Sequence, residues 1–568
     1  MPNTFAYFVL LSWPLVVGWL FAKRPAHEAL IWSLLGGYLI LPQSTGFNLP
    51  MLPTLDKTTL PALAALAFCV FRARNPDARV PRAPEDPAPP RRARGTPRAE
   101  KIGWIPQDKL HRLLFLMVFA SVVLTMATNG DQLRIGGGRT IKGLEFYDLL
   151  AAIQATLLTL LPFLLARRYL RTAAHHDDLI RIFLVAGLAY SLPLALEVRL
   201  SPQLHNIIYG FYQHSFLQQK RFGGFRPMVF LQHGIWAAVF VGMVLMAAAG
   251  RLRMASSDTR MKHIAIVVWI SVLLVLCKTA SALIPAVLLL PVALFAGKRT
   301  QVTAAAAIAV AVAIYPALRG LGLVPVDQVV SMVRDFSQER AGSLNFRLLN
   351  EDILLAHAAE KPLFGWGGWN RWRVFDPTNG LDVTTSDGIW AIIFSTNGWF
   401  GYIPRFGLLT LPLIMLFAMR RRPELTRSTA ALSLVLAINL VDLVPNAGLT
   451  PVTWMLAGAL LGRIEDIRRT APASESDGAT DAEPSPARPR LAAHARRPAA
   501  AGPPYGGGRG TRAFAGDDAP PNTTQPRPAA PKAPPPRSGP VRPPKLVRGD
   551  PSRTAATPQR PPKPRRDT

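Results

Sequence analysis

The chain has 568 residues, of which 49% are hydrophobic, and it carries a formal net charge of +29 with only two cysteines. A mean hydropathy of +0.20 beside that charge excludes both an ordinary soluble enzyme and a plain membrane protein, so apolar and basic residues must occupy different segments. Cys69 and Cys277 lie in separate apolar runs, which excludes a disulfide framework.

In chain order the apolar runs are Phe5 to Phe21, Ala29 to Leu41, Leu60 to Phe71, Leu110 to Ala127, Tyr147 to Ala166, Leu179 to Leu196 and Met228 to Ala249. They continue with Ile264 to Cys277, Ala280 to Ala296, Thr303 to Leu318, Trp399 to Met419, Ala430 to Val444 and Pro451 to Leu461. Crossing a bilayer takes roughly 17–25 residues, so several of these are short enough to tilt or to pair as half-helices. Lys23 and Arg24 follow the first run, and no small-residue cleavage site closes it, so it reads as a retained span and not as a signal peptide. The expected fold is all-α, a polytopic integral membrane protein with about 12–13 transmembrane helices. Residues 1–462 form the membrane domain, with a flexible loop at 72–109 and one large loop at 319–386. Residues 463–568 are rich in Pro, Ala, Arg and Gly. Such a composition buries too little apolar surface to offset its ordering entropy, so a disordered basic tail is expected.

Cytoplasmic loops hold the excess of Lys and Arg. With an outside N-terminus, alternation puts Lys23/Arg24, the block Arg72 to Lys109, Arg167/Arg168/Arg171, Arg251/Arg253/Arg260, Lys298/Arg299, Arg420/Arg421/Arg422 and the tail in the cytoplasm. The same alternation puts Asn129 to Glu145, Arg199 to Pro227 and Arg319 to Ser386 outside.

The outside loops carry the candidate chemistry. Arg221 and Arg226 sit at the membrane surface, where idle cations are disfavoured. Their planar guanidinium groups suit bidentate recognition of a diphosphate, and the alternative is anchoring to headgroups. In the large loop, Asn345 to Glu360 has helical spacing and Lys361-Pro362 ends it. Phe364-Gly-Trp-Gly-Gly-Trp369 follows, then Arg371 and Arg373. Trp366 and Trp369 could give sugar rings a stacking face, or form an interfacial belt with the arginines. Asp387, at the start of an apolar helix, is either a general base toward an acceptor hydroxyl, its pKa raised by partial burial, or, like Ser386, a helix N-cap.

Other features carry less. Gly136-Gly-Gly138 follows no strand and opens no phosphate-binding helix, so it reads as a turn. His175, His176, Asp177 and Asp178 read as a solvated turn rather than a metal site. Asn522-Thr-Thr524 matches a glycosylation sequon by accident of the tail. The span centres hold few ionisable residues, which argues against a proton-coupled transporter. Aromatic residues are too sparse among the tail's charges to form a row of stacking platforms, so nucleic acid is not an expected partner, whereas anionic membrane lipids are.

At these residues the chain resembles the O-antigen ligase and polymerase superfamily, whose large loop has an Arg opening a helix and then Pro-Leu-x-Gly-x-Gly. Here Arg347 is followed by Lys361-Pro-Leu-Phe-Gly-Trp-Gly367. The family's later helix ending Gly-x-x-Gly is matched by Gly398-Trp-Phe-Gly401, and its earlier Arg with a Gly three residues on by Arg221 and Gly224, with Arg226 beside them. The resemblance implies a metal-independent inverting glycosyltransferase of the bacterial inner membrane, active at the periplasmic face in cell-surface polysaccharide biosynthesis and needing no cofactor. Its implied partners are an undecaprenyl-diphosphate-linked glycan, a sugar-hydroxyl acceptor on lipid A-core or a growing glycan, and polysaccharide assembly proteins. Arg347, Arg221 and Arg226 would be the diphosphate ligands, Asp387 the base, and Trp366 and Trp369 the sugar contacts. The family's His is replaced by Asp387, which cannot donate positive charge to a phosphate. Either a carboxylate base serves here, or the position is structural and Arg371 and Arg373 supply the cation. A lipid-linked oligosaccharide flippase or an export-complex scaffold would share the many spans.

Overall fold

The computed structural model describes residues 1–48, 53–74, 103–221, 223–385 and 387–470. Most of the expected 72–109 loop, the tail beyond residue 470 and Ser386 lie outside the described residues.

Sixteen helices are present among the described residues. They are α1 (Thr4–Lys23), α2 (Ala26–Ile40), α3 (Leu60–Arg74), α4 (Lys109–Ala127), α5 (Phe146–Tyr169), α6 (Ala173–Leu200), α7 (Leu204–Tyr209) and α8 (Gly234–Met254). The second half comprises α9 (Ser257–Leu276), α10 (Ala280–Phe295), α11 (Lys298–Gly320), α12 (Val326–Phe336), α13 (Gln338–Ala358), α14 (Ile389–Ala418), α15 (Arg427–Asp442) and α16 (Pro451–Thr470). Three two-stranded hairpins close loops: β1 (Gly46–Phe47) with β2 (Leu55–Asp56), β3 (Leu133–Gly136) with β4 (Arg139–Ile141), and β5 (Lys220–Arg221) with β6 (Gly224–Phe225). Gly136 ends β3 and Gly137 and Gly138 make the turn into β4, so the glycines do follow a strand, which corrects that part of the expectation.

Every expected apolar run falls within or overlaps a helix, and among the described residues eight helices are long and apolar enough to cross a membrane: α1, α4, α5, α6, α8, α9, α11 and α14. The chain is an α-helical multi-pass membrane protein. Side-chain periodicity explains how the helices sort. On α1, Leu10, Trp13, Val17 and Phe21 are buried while Phe8, Leu11, Leu15 and Trp19 are exposed. Both faces are apolar, as a helix between protein and lipid requires. By contrast, α8 is buried through nearly its whole length and packs against α6, α9, α10 and α15. α16 lies along α5 so closely that a Cβ on Gly458 would stand 2.2 Å from the Phe163 carbonyl oxygen, and one on Gly462 2.4 Å from that of Arg167. This is the small-xxx-small contact by which helices in lipid gain dispersion energy.

Several basic clusters share one end of the bundle. Arg167 pairs with Glu465 at 2.6 Å, Arg468 with Asp108 at 2.6 Å and Arg251 with Asp177 at 3.0 Å. Lys298 donates to the Leu425 carbonyl at 2.8 Å.

Two expectations are corrected at this basic end. The segment from Arg463 to Thr470 is not tail but the last turns of α16, because Arg463 pairs with Asp466 at 2.9 Å and Arg167 reaches Glu465. His175 to Asp178 are not a solvated turn but the first turns of α6, capped by Thr172. His176 is fully buried between Thr429 and the Ala459 carbonyl, and Asp178 binds His27 and Arg181. His27, Glu28 and Asp178 bring ligand atoms within 4.8 Å of one another. Arg181 bridges both carboxylates there, so the group reads as an ion-pair network.

Candidate functional site

At the opposite end, the large loop folds into α12 and α13 and then an irregular stretch that returns to α14. Ser337 caps α13, and its acidic first turn favours the positive end of the helix dipole. Arg347 lies midway along α13. Its Nε pairs with Asp387 Oδ2 at 3.1 Å, and its Nη1 donates to Asn446 Oδ1 at 3.5 Å. Asn446 is itself fixed: its Nδ2 donates to Asp442 Oδ1 at 2.6 Å, and its carbonyl accepts from Ile389 N at 3.2 Å. One asparagine thus ties α13, α14 and α15 together.

Arg221 and Arg226 arrive from the β5–β6 hairpin. Lys278, in the α9–α10 turn, runs against this hairpin and donates to the Arg221 carbonyl at 3.2 Å, while Arg226 Nη2 donates to the Lys278 carbonyl at 3.5 Å. A Cβ on Gly224 would meet Lys278 Nζ at 2.3 Å, and one on Gly234 would meet Arg226 Cδ at 2.2 Å, so both glycines admit the neighbouring cation. Burial, then the positive charges of Arg221 and Arg347, push Arg226 down to about 10. Its Nε is buried with no hydrogen-bond partner. Among the described residues no carboxylate pairs with Arg221 or Arg226. The three arginines singled out in the sequence are therefore near enough to repel one another, and a bound anion would relieve that repulsion.

Asp387 is half-exposed and does not cap α14, whose N-cap Gly388 receives no side-chain hydrogen bond. No backbone N–H of α14 donates to Asp387 among the described residues. Its Oδ1 has no partner among the described residues, leaving an acceptor for a hydroxyl.

The Pro-Leu-Phe-Gly-Trp-Gly stretch and Gly398 meet each other. α14 is broken at Gly398, with φ 61 and ψ −168. Beyond the break, Trp399 N and Phe400 N donate to the Pro362 and Leu363 carbonyls at 2.8 and 3.0 Å. Before it, the Ser395 and Thr396 carbonyls each accept at 2.9 Å, from Trp366 N and Gly367 N. The loop thus satisfies the backbone groups that a broken membrane helix leaves unpaired. Gly365 has φ 67, and a Cβ there would lie 2.5 Å from Asn397 N.

The other predicted residues divide. Trp366 is 8% exposed, stacks on His357 at 4.3 Å and donates from Nε1 to the His357 carbonyl at 2.9 Å. Arg371 is 2% exposed, with its guanidinium on the carbonyls of Trp366, Asp131 and Lys142. Arg373 pairs with Asp382 and lies over Trp372. Trp366 and Arg371 are buried in holding the loop, which corrects the expectation that they face a substrate, whereas Arg373 remains about one-third exposed. Trp369 is 69% exposed, with φ 55, and its Nε1 donates to Asp148 Oδ1 at 2.8 Å.

Sequence reasoning missed Asn446, Lys278 and Glu351. Glu351 lies one turn beyond Arg347 on α13, beside Tyr315 and Arg319. Burial pushes its carboxyl up to about 7, against the pull of Arg319. An apolar groove of about 390 Å³ runs between α10, α11 and α15 and begins at Ser281 and Tyr315, the partners of Asn446 and Glu351. No protein-family model matches the chain, and no curated protein matches it in sequence.

Proposed function

We propose that this protein is a membrane glycosyltransferase similar to the O-antigen ligases and polymerases, moving a glycan from a polyprenyl diphosphate to a sugar hydroxyl. The observation that carries this reading is the meeting of Arg221, Arg226 and Arg347 beside Asp387, with no carboxylate on two of the three arginines among the described residues. The apolar groove at Ser281 and Tyr315 supports it, since a polyprenyl chain needs an apolar path leading from its charged head.

In the reaction, the acceptor oxygen attacks the anomeric carbon while the bond from that carbon to the diphosphate oxygen breaks. The electron pair leaves with the diphosphate, whose developing charge the arginines stabilise. The hydroxyl proton passes to Asp387 Oδ1, and a single displacement inverts the anomeric centre. On this reading the arginine cluster faces the periplasm of a bacterial inner membrane and the basic end and tail face the cytoplasm, in line with the positive-inside bias.

The test is deletion in the source bacterium, complemented with wild type, Arg347→Ala or Asp387→Asn, with membrane levels matched. Loss of long-chain surface glycan on deletion, with Arg347→Ala restoring about a hundredth or less of the wild-type rate, is the expected result. Full restoration by Arg347→Ala would remove the diphosphate assignment.

A further inference from the structure

A second polar site lies on the far side of the α14 break. Arg405, two turns beyond Gly398, donates from Nη1 to Ser121 Oγ at 3.2 Å and to the Gly401 carbonyl at 3.1 Å. Among the described residues no carboxylate pairs with it, and its Nε and Nη2 make no hydrogen bond. A guanidinium inside a membrane helix is costly unless something neutralises it, and such residues mark binding or transport sites by default.

Arg405 does not face a packed core. With Asn397, Thr396 and Thr125 it lines a cavity of about 270 Å³ between α4, α5 and α14. Ser121 lies six residues before the end of α4, so the guanidinium sits roughly 9 Å along the helix from that end. Trp369 and Asp148 also line the cavity. Among the described residues Asp148 makes no ion pair with Arg405; its Oδ1 accepts from Trp369 and its Oδ2 from Glu145 N at 2.8 Å. The walls from α4 and α5, Val122 and Ala152 among them, are apolar.

We propose that this cavity binds the phosphate group of an amphiphile, with Arg405 as its anchor and Trp369 against its polar head. A phosphate offers the guanidinium the two parallel acceptors that its free Nε and Nη2 require. An apolar wall beside that charge selects a phosphate carried on an alkyl chain over inorganic phosphate. The first half of α14, Ile389 to Asn397, is roughly 13 Å long and separates this cavity from Asp387, so the site does not rest on the transferase reading.

The test uses the full chain in micelles of octyl glucoside, which carries no phosphate, and n-dodecyl phosphate as the probe, with bound probe measured at equilibrium. Because the Arg347 cluster also attracts phosphate, the parent protein is the Arg226→Gln/Arg347→Gln double variant. One saturable site is expected in that background, weakened about tenfold or more by Arg405→Gln, less by Arg405→Lys, which keeps the charge but loses the fork. Ala152→Phe, which fills the cavity and leaves the Arg405 residue in place, should abolish binding and keeps the test decisive if Arg405→Gln does not fold. Inorganic phosphate should fail to displace the probe at equal concentration. Displacement would overturn the amphiphile and leave a site for free phosphate. Unchanged binding in Arg405→Gln or in Ala152→Phe, or equal binding of n-dodecyl maltoside, would overturn the site.

Discussion

Replacing Gly398 by alanine tests whether the α14 break and the Pro362 to Gly367 loop form one unit. At φ 61 and ψ −168 the backbone is in a region essentially reserved for glycine, and an L-residue held there costs about 1–3 kcal/mol. The added Cβ would stand 2.4 Å from the carbonyl carbon and oxygen of Leu363, so the loop must withdraw. Withdrawal gives up the bonds from Trp399 N and Phe400 N, about 0.5–1.5 kcal/mol each. Together the loss is about 2–6 kcal/mol, a large part of the roughly 5–15 kcal/mol that holds a typical domain. Cys69 and Cys277 are buried thiols that form no disulfide, so thermal unfolding in detergent can be followed by a dye that reacts with newly exposed thiols. Gly398→Ala should lower the melting temperature by several degrees. Gly368→Ala, where a Cβ would meet nothing within 4 Å, should leave it unchanged. Equal melting temperatures for the two variants would refute the coupling of loop and break.

Two further outcomes follow from the same region. The Glu351 carboxyl is raised from 4.5 to about 7, so the folded state holds that proton longer than the unfolded one. Its contribution to stability is full below about 4.5 and is lost as pH rises through about 7. Glu351→Gln should therefore flatten the melting-temperature profile across that window, and an unchanged slope would mean that the buried carboxyl does not titrate there. Arg371→Lys cannot serve three carbonyls on separate segments, and each carbonyl left unpaired costs about 1–3 kcal/mol. Lower stability with unchanged donor affinity is expected, and the reverse pattern in a binding titration would return Arg371 to substrate contact.

The membrane architecture was legible because an apolar run long enough to span is a local property of the sequence. Asp387 was legible as the start of α14, and the span beginning at Trp399 coincides with that helix's second half. The break itself was not, since Gly398 acquires its role only from carbonyls of Pro362 and Leu363 brought to it by tertiary folding. The same limit hid the difference between the tryptophans. Trp366 and Trp369 look equivalent in the sequence, yet one stacks on His357 and the other is exposed against Asp148. Arg405 and Asp442 did leave a signal, as charges inside apolar runs, and that signal merits more weight than a low count of such residues suggests.

The broken helix explains why the polar sites can be placed accurately in a medium that penalises unpaired backbone groups. An unbroken α14 would carry its ladder past Asn397 and leave no room for the loop between it and α4. The break instead admits Phe364 and Gly365, whose carbonyls accept from Thr125 Oγ1 at 2.7 Å and Asn129 Nδ2 at 2.9 Å. That anchors both halves of α14 to α4 through the loop. The first half presents Asp387 to Arg347 at one end, and the second carries Arg405 to Ser121. Functional groups held on rigid elements with satisfied surroundings keep the narrow geometry that chemistry needs. A variant that relaxes the break should therefore perturb the Asp387 and Arg405 sites together, whereas substitution of Arg347 or Arg405 alone should perturb one and spare the other.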